Sequence, residues 1–199
     1  MDHLHVPSLR DVNSAATVIA PRGTRALLER AGFEAIAEVV EGDRIELAPA
    51  VIEVIEAVHP CGRGPHSSIA AAPVGYVIDI GGHRTYFAGD TDLFDGMIGL
   101  GSIDVALLPV WGWGSTIGEG HLDPERAVEA TRLIRPDIVV PIHWGTYSPE
   151  DGRRRPPYWL DDPAERFSVA LARAGLSDRL RTLRPGDDLD LRSGSTPSA

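Results

Sequence analysis

The stretch Tyr86-Phe87-Ala88-Gly89-Asp90-Thr91-Asp92 decides the fold prediction for this chain. It predicts an apolar strand that ends at a glycine and places one carboxylate, that of Asp90, beyond the carboxyl end of the strand. Ligands in α/β folds bind at such strand ends, and a carboxylate held there can bridge two cations. Asp90 is therefore a candidate metal ligand. The alternative is a structural turn or helix cap, because Asp and Thr side chains also accept from the first amides of a helix.

Three other places in the chain supply side chains of the right type. They are Asp2-His3 at the start, His59 after one predicted strand and His143 after another. Carboxylates and neutral imidazoles suit zinc, and iron or manganese are compatible with the same donors. Two cations roughly 3.5–4 Å apart that share a carboxylate would generate a nucleophile at neutral pH. The pattern therefore predicts a site for one or two metal ions.

Composition limits the class of protein. A chain of 199 residues with 43% hydrophobic and 24% charged residues fits one globular domain. The net charge of -10 argues against nucleic acid or an anionic membrane as a general partner. A nuclease with a local basic groove stays open as a lesser alternative. We expect a small-molecule substrate, and the sequence leaves the oligomeric state open.

Cysteine use and hydropathy address the location of the protein. The single cysteine, Cys61, excludes an internal disulfide and a thiolate zinc cluster. No run approaches the roughly 18 apolar residues of a spanning helix, and the start does not resemble a signal peptide. The sequence therefore predicts a cytoplasmic protein without a membrane span.

The order of elements predicts a layered α/β sandwich with mixed sheets. Strands are expected at 17–20, 35–40, 44–47, 51–58, 74–80, 84–88, 103–110 and 137–143, with closing strands at 179–183 and 189–191. Helices are expected at 21–31, 123–134 and 163–174. Loops at 60–73, 111–120 and 147–160 would shape a pocket.

Together these motifs resemble a metallo-β-lactamase-fold hydrolase, in the branch that includes the ascorbate-6-phosphate lactonase and the N-acylphosphatidylethanolamine-hydrolysing phospholipase D. The resemblance extends over nearly the whole chain. It is carried by Asp2-His3-Leu4-His5, His59, Gly75-Tyr76-Val77-Ile78, the stretch 86–91, Gly120-His121-Leu122-Asp123-Pro124-Glu125 and Pro141-Ile142-His143-Trp144-Gly145-Thr146.

The resemblance implies a four-layer αββα sandwich with mixed sheets, formed by residues 1–192 as one domain with a flexible tail at 193–199. It implies that Asp2, His3, Asp90 and His143 surround one metal, and that His59 serves a second metal with Asp90 between the two. The complete family site holds two Zn²⁺, with Mn²⁺ or Fe²⁺ possible.

The implied reaction is hydrolysis of an ester, lactone, amide or phosphodiester bond by a metal-bound hydroxide. Asp2 would bind or orient the hydroxide. His121, near the site, is the second candidate catalytic residue, and the alternative for His121 is a cap of the helix that begins at Asp123. His5 and His121 are candidates to line the substrate space, and Arg63 is a candidate to bind an anionic substrate group such as phosphate or carboxylate. Cys61 is a candidate ligand beside His59.

The family site opens with His-x-His-x-Asp-His, whereas this sequence begins at the last x of that motif. We therefore expect an N-terminally truncated domain, in which Met1 is an internal methionine of a longer reading frame. An in-frame His-x-His directly upstream of Met1 would support this expectation. The alternative function is a truncated or degenerate, non-catalytic member that binds at most one metal.

Overall fold

The computed structural model describes residues 4–61, 71–112, 117–145, 160 and 162–191. Asp2, His3, Arg63 and the expected tail at 193–199 lie outside the described residues. The division into a domain at 1–192 and a tail therefore stays a prediction.

A mixed six-stranded sheet forms the main body of the described chain. Its strands, in chain order, are β3 (Arg44–Leu47), β4 (Ala50–Glu56), β5 (Val74–Ile80), β6 (His83–Phe87), β7 (Val105–Pro109) and β8 (Ile138–Ile142), and they lie side by side in that same order. The pairs from β3 to β6 are antiparallel, and those from β6 to β8 are parallel. Consequently β4, β6, β7 and β8 run in one direction, and their carboxyl ends share one edge of the sheet.

The turn between β5 and β6 has the backbone that a tight hairpin requires. Gly81 and Gly82 both have positive φ, 63° and 86°, as in the type I′ turns that match strand twist. The turn lies at the edge opposite the shared carboxyl ends, and its neighbour His83 is exposed.

A smaller parallel sheet pairs β1 (Val18–Pro21) with β2 (Ile36–Val39). The connection between them is helix α2 (Arg25–Ala31), which ends at Gly32 with φ +100°, the left-handed conformation that glycine adopts at helix ends. Leu28 of α2 packs with Ala20 and Phe33, and Leu9 of the short helix α1 (Val6–Leu9) packs against this cluster.

Two longer helices cover one face of the six-stranded sheet. They are α3 (Pro124–Ile134) and α4 (Asp162–Arg173), and a 3-10 helix at Asp95–Gly99 packs beside α3. Their apolar sides meet alternate residues of the strands, as expected for a sheet face with period two. This core includes Val77, Tyr86, Leu108 and Val139 from the sheet, Ala127, Ala130 and Ile134 from α3, and Phe167 and Leu171 from α4.

The α/β fold with mixed sheets is confirmed, and most predicted elements lie within a few residues of the observed ones. The closing strands are wrong. The chain forms a 3-10 helix at Ser177–Arg179 and makes one bridge, Val139 to Leu180, with Arg181 donating to the carbonyl of Val139. Residues 189–191 form no strand. In the part of the chain that the structure describes, no helix is long and apolar enough to cross a bilayer.

The hydroxyl of Tyr86 is a buried polar group at the centre of the core. Tyr86 is 0% exposed, and its hydroxyl has no hydrogen-bond partner among the described residues. Burial and the nearby charge of Glu56 raise its pKa, so the phenol stays neutral. An unsatisfied buried hydroxyl costs about 1–3 kcal/mol.

Removal of this hydroxyl should stabilise the protein. We expect Tyr86→Phe to raise the free energy of unfolding by about 1 kcal/mol, measured by urea denaturation. Tyr86→Leu, which also replaces the ring with a smaller aliphatic side chain, should lower the free energy of unfolding because a cavity forms. A loss of stability in Tyr86→Phe would contradict the assignment of an unsatisfied hydroxyl.

Glu38 on β2 should make stability depend on pH. Its carboxylate accepts from the backbone N–H groups of Gly23 at 2.7 Å and Arg25 at 3.3 Å, and these bonds, with the Arg25 guanidinium, lower its pKa from 4.5. A depressed folded pKa stabilises the fold above the unfolded pKa, and this contribution disappears as pH falls through the folded pKa. Glu38→Gln should therefore lower the urea midpoint at neutral pH, with the difference from wild type closing in acid. A difference that is independent of pH would contradict this assignment.

Candidate metal centre

Four strand ends and one loop meet at the edge where β4, β6, β7 and β8 terminate. His59 follows β4, Asp90 follows β6, Trp111 follows β7 and His143 follows β8 directly. His121 reaches the same place from the loop before α3. The common direction of the four strands therefore explains how residues distant in sequence come together.

Three donor atoms converge tightly at this edge. Nε2 of His59 lies 3.3 Å from Oδ2 of Asp90, and Nε2 of His121 lies 3.2 Å from the same oxygen. The two Nε2 atoms are 3.3 Å apart. Nε2 of His143 lies 3.7 Å from Oδ2 of Asp90. We refer to His59, Asp90 and His121 as the donor triad.

Backbone carbonyls fix the tautomer of all three imidazoles. Nδ1 of His59 lies 2.9 Å from the carbonyl oxygen of Pro60, and Nδ1 of His143 lies 2.6 Å from that of Trp111. Nδ1 of His121 lies 3.2 Å from the carbonyls of both Gly118 and Glu119. Because a carbonyl oxygen can only accept, each Nδ1 carries the proton and each neutral ring presents the lone pair of Nε2. This is the usual orientation of metal-binding histidines.

In the donor triad, the lone pairs of the two imidazoles and of the carboxylate therefore point toward one another. The side chain of Asp90 is only 7% exposed, and a buried carboxylate requires a compensating positive charge or hydrogen bonds. The pKa of His121 is raised, chiefly because its protonated ring would donate to Asp90, while partial burial opposes the rise. A proton or a metal cation is the species that such an arrangement attracts.

The spacing of the donor triad fits a metal ion. Bonds of about 2.0–2.1 Å to imidazole nitrogen and carboxylate oxygen, at tetrahedral angles, separate the donor atoms by about 3.3 Å. The three observed separations are 3.3, 3.2 and 3.3 Å. Nitrogen and oxygen donors in this number suit zinc and do not exclude manganese or iron.

Positive φ angles at two positions, Gly89 and His143, help to direct the side chains of Asp90 and His143 toward the donor triad. Gly89, just before Asp90, has φ +68°, and a Cβ there would lie 3.2 Å from the carbonyl oxygen of Val74. His143 has φ +60°, which is uncommon for a residue other than glycine. Backbone strain of this kind is concentrated at functional sites.

The loop of His121 packs directly on the loop of His59. Gly120 has φ +84°, and a Cβ at this position would lie 2.6 Å from Cδ of Pro60 and 3.1 Å from Cα of His59. Only glycine allows this close approach. The contact holds His121 and His59 within reach of one ion.

The structure brings three of the predicted metal ligands, His59, Asp90 and His143, together with His121. The cap of α3 is Asp123, whose side chain accepts from the N–H of Arg126, so the capping alternative for His121 is wrong. The capping alternative for Asp90 is also wrong, because the next helical turn begins after Phe94.

Other candidates lie elsewhere or are not described. Asp2 and His3 lie outside the described residues, so their predicted roles stay predictions. Cys61 is exposed and does not belong to the donor triad. Nδ1 of His5 pairs with the Ser8 hydroxyl at 2.7 Å.

Sequence reasoning missed His121 as a possible metal ligand and gave it only a catalytic or capping role. The signal was present in the sequence. Asp123-Pro124-Glu125 already forms a complete helix start, with Asp at the cap and Pro at the first helical position. His121 was therefore not needed as a cap.

Comparison with known proteins identifies the family of the chain. Residues 1–144 match the family model described as the Beta-lactamase superfamily domain. A UPF0173 metal-dependent hydrolase of Symbiobacterium thermophilum is 34% identical over 200 residues, which cover 95% of this chain and 79% of the relative. Another, of Pelotomaculum thermopropionicum, is 37% identical over 133 residues, and the match spans only 50% of its length.

A solved structure shares the fold. Igni18, a metallo hydrolase from the hyperthermophilic archaeon Ignicoccus hospitalis, is 28% identical, with a TM-score of 0.69 over 94% of this chain and 73% of that protein. The chain therefore belongs to the β-lactamase superfamily and, within it, to the UPF0173 metal-dependent hydrolase family. The predicted metallo-β-lactamase fold is confirmed. The narrower lactonase and phospholipase branch stays a prediction.

The contact of Gly120 can be tested by adding one methyl group. Gly120→Ala should push the His59 loop away, because the nearest atoms belong to backbone and a proline ring. We expect zinc affinity, measured by competition with a chromogenic chelator, to fall about 10–100-fold, the range seen when the supports of metal ligands are lost. Gly99→Ala is the matched control, since a Cβ there meets nothing within 4 Å and Gly99 lies in the 3-10 helix at Asp95–Gly99, which carries no residue of the donor triad. Equal affinities in the two variants would contradict the role of this contact.

Proposed function

We propose that this chain is a hydrolase that uses a metal ion, zinc in the first instance, held by His59, Asp90 and His121. The observation that carries the proposal is the convergence of three donor atoms at 3.2–3.3 Å with both imidazole tautomers fixed. His143 adjoins the same carboxylate and would complete the set. Membership of a family of metal-dependent hydrolases supports the proposal.

A zinc ion in such a site polarises a substrate carbonyl or phosphoryl oxygen and lowers the pKa of bound water. The residues of the chain supply the rest. Asp90 compensates part of the positive charge from a buried position. The carbonyls of Pro60, Gly118, Glu119 and Trp111 keep the imidazoles in the binding tautomer and fix their rotation. None of the three imidazoles then needs to reorient during the reaction.

The substrate proposed is a small molecule with an ester, lactone, amide or phosphodiester bond. The net charge of -10 disfavours a nucleic acid. A cytoplasmic location also stays a prediction. Among the described residues the donor triad and His143 suffice for one ion, and the predicted second ion depends on Asp2 and His3.

Metal content and hydrolysis test the proposal together. After loading with zinc and dialysis, the protein should retain about one equivalent of metal, or about two if the family arrangement is complete, measured by atomic emission. The loaded protein should hydrolyse activated esters, lactones or phosphodiesters, and a chelator should abolish this activity. Stoichiometric metal without turnover of any of these would instead favour the non-catalytic alternative.

Zinc binding by single-residue variants tests which side chains hold the metal. His121→Ala and His59→Ala should each lose stoichiometric zinc, because either change removes one of the three converging donors. His83→Ala should retain zinc, since His83 is the exposed first residue of β6, at the opposite edge of the sheet. Retention of full zinc by His121→Ala would contradict the assignment of His121 as a ligand.

A further inference from the structure

We propose that Asp92 and Arg126 are positioning residues that hold the loops of the donor triad in register. This inference rests on the proposed function, since it concerns the same metal site. The three donors belong to three separate segments of chain, and coordination requires their relative placement to hold within about 0.5 Å. The contacts of Asp92 and Arg126 connect all three segments.

The backbone of Asp92 connects the Asp90 loop to the His59 loop. The N–H of Asp92 donates to the carbonyl of Val58 at 2.8 Å. In return the N–H of Val58 donates to the hydroxyl of Thr91 at 2.8 Å, and that hydroxyl donates to the carbonyl of Asp92 at 2.9 Å. Thr91 is 0% exposed, so water does not compete for these bonds. Val58 and His59 are therefore fixed relative to Asp90.

The side chain of Asp92 connects the Asp90 loop to α3. Its Oδ1 accepts from Nε of Arg126 at 2.7 Å and also from an NH2 group of the same guanidinium. The same oxygen accepts from the N–H of Leu93 at 2.7 Å, which fixes its orientation. Charge-assisted bonds with two donors define direction as well as distance.

Arg126 in turn connects to the segment that carries His121. The N–H of Arg126 donates to the capping carboxylate of Asp123 at 2.7 Å, and the carbonyl of Asp123 accepts from Ala127 at 2.8 Å. Between the cap and His121 stands Leu122, which is 0% exposed in the core. A shift of the first turn of α3 would therefore move His121.

The Asp92–Arg126 ion pair should contribute more to metal affinity than to the stability of the fold. The side chain of Arg126 is 45% exposed, and exposed ion pairs contribute little to stability. Groups that support metal ligands nevertheless change affinity 10–100-fold when they are lost. A selective loss of metal affinity, with an unchanged fold, distinguishes a positioning role from a purely structural one.

The experiment compares three variants of the full chain with the wild type. Arg126→Met removes all the side-chain donors but keeps the aliphatic stem, and Arg126→Lys keeps the charge but not the fork of two donors. Arg132→Met is the matched control, since Arg132 lies on the same helix and, among the described residues, pairs with exposed Glu129 at 3.4 Å. Each protein is titrated with Co²⁺, which reports affinity and coordination geometry through its visible absorption, and circular dichroism checks folding.

We expect the Co²⁺ affinity of Arg126→Met to fall about 10–100-fold with an altered visible spectrum, and that of Arg126→Lys to fall less. Arg132→Met should match the wild type. The inference is overturned if Arg126→Met keeps wild-type affinity and spectrum, or if Arg132→Met loses as much. Failure of the wild type to bind Co²⁺ would overturn the proposed metal site itself, which separates the two hypotheses.

Discussion

This site depends on one constraint: the Nε2 lone pairs of His59 and His121 point toward the buried carboxylate of Asp90. Left alone, three acceptors at 3.2–3.3 Å repel one another, and their desolvation adds to the cost. A cation at their centre turns each of these unfavourable contacts into an attraction. The carbonyls on the Nδ1 atoms make the arrangement specific, because they prevent the rings from exchanging their donor and acceptor sides.

The rest of the fold keeps this unfavourable arrangement in place. Four strands that run in one direction deliver their carboxyl ends to one edge, and the core beneath α3 and α4 fixes those strands. Positive φ at Gly89 and Gly120 lets backbone segments approach more closely than a side chain would allow. Thr91, Asp92 and Arg126 then connect the loops to one another. Site geometry therefore depends on the core for the strand ends and on these additional contacts for the loops.

Much of the fold and part of the site could be predicted from the sequence. Apolar runs such as 103–110 and the glycine after β6 identified the strands and Asp90, since local patterns encode them. The closeness of His121 to His59 was not predicted, because it depends on the packing of Gly120 against Pro60, which is a tertiary contact. The strand predicted at 179–183 failed for a similar reason: an apolar pattern does not show that only Leu180 reaches β8.

The most direct measurement of the central claim is X-ray absorption spectroscopy of the zinc-loaded protein, with His121→Ala beside it. We predict a shell of nitrogen and oxygen neighbours at about 2.0–2.1 Å with the multiple-scattering signature of at least two imidazoles, and one imidazole fewer in the variant. A spectrum without imidazole scattering, or one that His121→Ala leaves unchanged, would contradict the account.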